Sequence, residues 1–134
     1  MGHPIVFDSF ALLSLFHKEK GWEKVRDILR QLASVDEKAL LSRINWGEFY
    51  YIVRRRLGKA MAEEALALLW QLPVEILPVD DRLVKEAAEI KSEYPVAYAD
   101  AFCIAIAKRH SGRVVTGDPE FRVVEGFIDV DWLT

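Results

Sequence analysis

The sequence contains a single cysteine, so no internal disulfide can brace it, and the small secreted scaffolds that depend on such bridges are excluded. No apolar run approaches the roughly 18–20 residues that span a bilayer, so no membrane-crossing helix is expected. The histidines His3, His17 and His110 are scattered and never stand at ligand spacing, which argues against zinc and leaves each as a surface or structural residue. Excess basic charge is missing too: the net charge of −3 departs from the balance usual in a dedicated nucleic-acid binder. Repeats, low-complexity tracts and Ser/Pro/Gly-rich linkers are absent, so nothing marks an internal boundary, and one domain over residues 1–134 is expected. The opening "MGHPIVFDSF" has neither a basic leader nor a small-residue cleavage site, so it does not read as a secretion signal. With Cys103 as a buried, inert thiol, the expected setting is the reducing cytoplasm.

What is present is an ordinary globular composition, 51% hydrophobic and 29% charged. Short, continuously apolar stretches read as buried strands at residues 4–8, 38–44, 74–79, 113–118 and 127–130. Helical spacing fills the intervals, at residues 9–19, 22–35, 45–58, 59–72, 80–94 and 98–110. Strands alternating with helices imply a mainly parallel sheet covered on both faces, an α/β three-layer α/β/α sandwich. In such sheets ligands bind beyond the strands' C-terminal ends.

Acids collect at that edge. Asp8 ends the first strand, Glu48 lies in the first turn of the helix beginning near Asn45, Asp100 in the first turn of residues 98–110, and Asp118 follows "VVTG". Each has a purely structural reading beside the functional one. Asn45 and Glu48 match a capping box, Asp8 or Ser9 can cap the following helix, and Asp118 before Pro119 is an ordinary turn or cap. Asp80 and Asp81 also form an acidic pair, but they open a helix and read as its N-terminal cap. Asp100 is harder to dismiss, because Cys103, Ile104 and Ala107 share its helical face and offer it no partner. A helix dipole contributes about 0.3–1 kcal/mol, too little to offset burying a charge. Carboxylates crowded together repel unless a cation neutralises them, and hard divalent ions take oxygen ligands. The chemistry this leaves is Mg²⁺- or Mn²⁺-assisted phosphoryl chemistry, with water activated by the metal.

Taken together, "IVFDSFALLSLF", "INWGEFYY", "YADAFCIAIAKRH" and "VVTGDPEF" resemble the four acidic motifs of the PIN-domain nucleases, in the family's order. The resemblance extends especially to the small VapC-type toxins of toxin–antitoxin pairs. It implies a central parallel sheet with Asp8, Glu48, Asp100 and Asp118 around one or two Mg²⁺ or Mn²⁺ ions. Thr116 matches the hydroxyl position before the fourth acid, Ser9 the position after the first, and Asn45 a polar neighbour of the second. The implied activity is metal-dependent endoribonuclease cleavage of RNA. The implied partners are a cognate antitoxin and a second copy of the chain as a homodimer.

Two basic clusters, Arg54, Arg55, Arg56 and Lys59, and Lys108, Arg109 and Arg113, read either as helix C-terminal charges or as contacts to RNA phosphates. Trp22, Trp46, Trp70 and Trp132 read as core packing. Phe10, Leu12, Leu13 and Phe16 leave the first helix apolar nearly all round, a surplus that suits a dimer or antitoxin interface. Two rival functions remain open at this point. One is a catalytically silent binding module of the same fold. The other is a phosphatase or receiver-type domain with Asp8 as nucleophile, although the position two residues on is Phe10 rather than a second acid.

Overall fold

The computed structural model describes residues 3–133. The short apolar runs form five strands: β1 (Ile5–Phe7), β2 (Ala39–Ser42), β3 (Val74–Leu77), β4 (Arg113–Thr116) and β5 (Asp129–Trp132). They pair in the order β3-β2-β1-β4-β5, and every pairing is parallel. The helices are α1 (Ser9–His17), α2 (Trp22–Ser34), α3 (Arg43–Leu57), α4 (Lys59–Trp70), α5 (Asp81–Glu93) and α6 (Tyr98–His110), with a 3-10 helix at Pro119–Val124. No helix among the described residues is long and apolar enough to cross a membrane.

The strand order explains where the helices lie. From β1 the chain steps outward twice, to β2 and then β3, and afterwards returns to the other side of β1 with β4. Parallel crossovers are right-handed, so reversing the direction of travel moves the connecting helices to the opposite face. Accordingly, α1 to α4 pack one face through Leu12, Val25, Phe49, Val53 and Leu69 against Phe7, Leu41 and Val115. Helices α5 and α6 cover the other through Leu83, Ile90, Ile104 and Ile106 against Val6, Leu40 and Val114. The reversal falls between β1 and β4, and the crevice beyond their C-terminal ends is the position where such sheets bind ligands.

Several local expectations need correction. The second strand ends at Ser42 rather than at residue 44, because the Ser42 side chain accepts from the Asn45 backbone N–H at 2.9 Å and starts α3 two residues early. Glu48 therefore falls in the second turn and is no capping-box partner of Asn45. The final strand is displaced toward the C-terminus, to Asp129–Trp132. The apolar surplus on α1 is mostly covered within the chain: Leu12 and Leu13 are buried between α2 and α3, and Phe16 packs edge-on against Phe49. Phe10 alone of that set faces outward. Trp70 is not core either, being 62% exposed at the end of α4.

Replacing Ile104, fully buried between α6 and the sheet, with Ala is expected to cost about 2–5 kcal/mol through lost burial and the cavity left behind. Trp70→Ala, at an exposed position, should change stability by no more than about 0.5 kcal/mol. Urea unfolding of both variants checks the contrast.

Candidate active site

Asp8 leaves β1 in an extended conformation and caps α1, its Oδ1 accepting from the Ala11 N–H at 2.9 Å. Its Oδ2 accepts from the Thr116 hydroxyl at 2.5 Å across the β1–β4 boundary. The same Thr116 oxygen accepts from the Asp118 N–H at 3.0 Å. One buried hydroxyl thus fixes two acids from the two strands that flank the reversal. Asp118 in turn caps the 3-10 helix, its Oδ1 accepting from the Glu120 N–H at 3.0 Å. The capping readings of Asp8 and Asp118 are therefore correct as local chemistry, and capping holds both carboxyls at the edge.

Glu48 reaches the edge from α3, where its Oε1 accepts from the Ser9 hydroxyl at 2.5 Å. Asn45 is fully buried and joins α3 to α6, donating from Nδ2 to the Ala99 carbonyl at 3.2 Å. That contact seats the first turn of α6, whose third residue is Asp100. The helix has no side-chain cap of its own. Its Ala97 N–H donates instead to the Glu120 carboxylate. Carboxylate oxygens of Asp100, Asp118 and Glu120 all lie within 4.8 Å of one another. Glu120 is the member that sequence reading missed; the signal was "DPE", in which proline opens a single tight turn and brings the acids on either side of it together.

The electrostatics follow from this crowding. Burial, partly offset by the Thr116 and Ala11 hydrogen bonds, pushes the Asp8 carboxyl up to about 7, and Asp118 and Glu48 push it further in the same direction. Asp100 is only 7% exposed. Burial raises it to about 8, with Asp8, Asp118, Glu48 and Glu120 each adding repulsion. Burial also drives the Cys103 thiol well above its ordinary value, which leaves it unreactive at neutral pH. The charges weighing most on Asp8 and Asp100 are all negative. This donor set is hard oxygen throughout, with no histidine or thiolate, which fits a divalent cation of the Mg²⁺ type.

A family model for the PIN domain matches residues 5–126. The chain belongs to the PIN-domain family. No curated protein sequence matches it significantly. Among solved structures, the fold of this PIN domain is similar to VapBC2 from Rickettsia felis, bound to a promoter DNA fragment, at TM-score 0.75 and 16% identity over 96% of this chain and 97% of that one. It is similar to VapC20 of Mycobacterium tuberculosis, a toxin that cleaves the sarcin–ricin loop, at TM-score 0.74 and 22% identity over 94% and 98%. It also resembles FitAcB from Neisseria gonorrhoeae, at TM-score 0.66 and 26% identity over 94% and 95%.

The basic clusters are not gathered at the acids of this PIN domain. Arg54, Arg55 and Arg56 occupy the last turn of α3, roughly 9–12 Å along the helix from Glu48. Lys108 and Arg109 end α6, roughly 12–14 Å along it from Asp100, and Arg113 begins β4 at the opposite edge of the sheet. Arg109 is committed to Glu86 at 2.9 Å and Arg113 to Asp129 at 3.0 Å. A cavity of about 570 Å³ lies beside Lys108 and Arg109 rather than beside the acids, and the Arg109–Glu86–Arg82 chain crosses its lining.

The raised carboxyls set a pH dependence for the metal-free protein. The folded chain holds protons on Asp8 and Asp100 up to about 7 and about 8, whereas a free aspartate releases its proton near 3.8. The folded state therefore binds more protons between those values, and stability falls as pH rises from about 4 to about 8. The expected observation is a melting temperature that declines across that window in EDTA, less steeply for Asp100→Asn. A flat or rising profile would contradict the assignment of crowded, buried acids.

Proposed function

We propose that this PIN domain is a Mg²⁺- or Mn²⁺-dependent endoribonuclease of the cytoplasm, the toxin of a VapBC-type toxin–antitoxin pair. The observation that carries the reading is the convergence of Asp8, Glu48, Asp100 and Asp118 on one another's charge at the crevice where strand order reverses. Asp8, Asp100 and Asp118 would hold the cation, and Glu48 would complete the set or orient the attacking water. A divalent ion bound there would offset the negative charge that develops on the phosphate and lower the pKa of a bound water.

The chain's own groups do the positioning. Thr116 donates to Asp8 Oδ2 and fixes which carboxylate oxygens face the crevice. Ser9 donates to Oε1 of Glu48 and holds that carboxylate at the crevice, where it completes the ligand set or takes a proton from the attacking water. Water oxygen adds to phosphorus as the P–O bond to the leaving nucleotide breaks. Phosphate contact outside the crevice falls to the exposed Arg54, Arg55, Arg56 and Lys59, which bind the backbone without reading bases. Arg109 and Arg113, each held by a carboxylate, are not assigned that role.

The similarity in fold to VapBC complexes supports an antitoxin as partner, and so does apolar surface left on the α3–α4 pair. Leu57, Met61 and Leu68 are nearly half exposed around a small cleft that they line with Phe16 and Val53. Homodimerisation belongs to the same reading.

Purified protein should cut single-stranded or looped RNA when given Mn²⁺ or Mg²⁺, and Asp100→Asn should lower the rate by about 100-fold or more. Metal-independent cutting, or cutting that survives the substitution, would refute the assignment. Joint replacement of Arg54, Arg55 and Arg56 by Ala should weaken RNA affinity and flatten its dependence on salt. Unchanged salt dependence would remove those arginines from the RNA path.

A further inference from the structure

Beside the acids lies a second cavity that the catalytic reading does not use. It measures about 270 Å³ and is lined by Gly117, Pro119, Arg122 and Trp132. Gly117 and Pro119 are the immediate neighbours of Asp118. Trp132 pairs in register with Thr116, so its side chain stands at the same end of the sheet. The space is just below the roughly 300–1,000 Å³ of pockets for drug-sized ligands, enough for one planar ring and its phosphate.

We propose that this cavity is a nucleotide subsite, in which Arg122 holds a backbone phosphate and the Trp132 indole stacks on an unpaired base of RNA entering the acidic crevice. The proposal rests on the nuclease reading and extends it to how the substrate strand is placed.

Three features point this way. First, the indole is held in one orientation, its Nε1 donating to Glu125 Oε2 at 2.9 Å while the Trp132 carbonyl accepts from Lys24 at 3.0 Å. An aromatic ring pinned at its edge offers a ready stacking face at little entropic cost. Second, the Arg122 guanidinium lies over one face of that ring, 5.6 Å from its centre. It forms no ion pair among the described residues, unlike Arg109 and Arg113. A free cation resting on an aromatic face in one small cavity matches a phosphate and its base, the guanidinium turning off the ring to the phosphate as the base takes its place. Third, Gly117 keeps the turn into Asp118 thin, since a Cβ there would lie 2.5 Å from the Phe10 ring. Any larger residue there would push the Phe10 ring aside. A base can reach the indole only when unstacked, so the subsite selects single strands over duplex.

The test uses Asp100→Asn protein, slowed by about 100-fold or more, with Mn²⁺ and fluorescein-labelled single-stranded 12-mers of U and of A, read before cutting sets in. Anisotropy gives the affinity. Trp132→Ala should weaken binding roughly 5- to 100-fold. Trp132→Phe, which keeps a ring and guards against a folding defect, should recover most of the loss. Arg122→Ala, at an exposed position, should weaken binding and reduce the slope of log affinity against log salt by about one. A duplex of the same length should be indifferent to all three. Single-strand affinities unchanged by Arg122→Ala and Trp132→Ala would overturn the subsite and leave the cavity to a protein partner, even while the wild-type protein cuts RNA. A wild-type protein that neither binds nor cuts single-stranded or looped RNA would overturn the nuclease reading and the subsite with it.

Discussion

The rest of this molecule is arranged around a repulsion. Asp8 and Asp100 are nearly sealed from water, and the charges that bear on them hardest are other carboxylates. A fold that only needed to be stable would place neutral residues there, because removing like charges from solvent opposes folding. The structure instead supplies each acid with a fixed donor where it can. The Thr116 hydroxyl and the Ala11 N–H serve Asp8, the Glu120 N–H serves Asp118, the Ser9 hydroxyl serves Glu48, and the Ala97 N–H serves Glu120. Asp100 receives burial and repulsion only, which makes it the carboxyl most in need of a cation.

The topology gives that repulsion its location. Right-handed crossovers and one reversal of strand order bring the ends of β1 and β4 together, with α6 laid over them. Two buried polar residues serve this arrangement: Ser42 and Asn45 are both fully buried, and they start α3 and tie it to α6. A network of this kind fixes the distance between two helices that carry different acids. Loss of the Asn45 contact would loosen Asp100 without touching any carboxylate.

Much of this was readable along the chain. Acids at strand ends and in the opening of an apolar helix identify an edge, because strand C-termini and helix N-termini point the same way in a βα unit. The α/β class followed from the alternation of short apolar runs with helical periods, and the parallel sheet bears it out. Other features depended on pairings that local pattern does not carry. Ser42 and Asn45 are both plausible caps in sequence, and only the backbone decides between them. Arg109 and Glu86 are 23 residues apart, so an arginine that looked available for phosphate is engaged elsewhere. Trp70 satisfied a helical apolar pattern yet lies outside the packed face of α4. Glu120 stayed hidden because one residue after a proline turn looks like loop, not site.

The central claim is that the crowded carboxylates exist to bind a divalent cation. Its most direct test is calorimetric titration of the metal-free protein with Mn²⁺ near neutral pH, in two buffers of different ionisation enthalpy. Because Asp8 and Asp100 still carry protons in that range, saturable binding should release protons, and the apparent heat should differ between the buffers. Failure to bind, or binding undiminished in Asp100→Asn, would mean that the acids are crowded for some other reason and that the metal site has been misplaced.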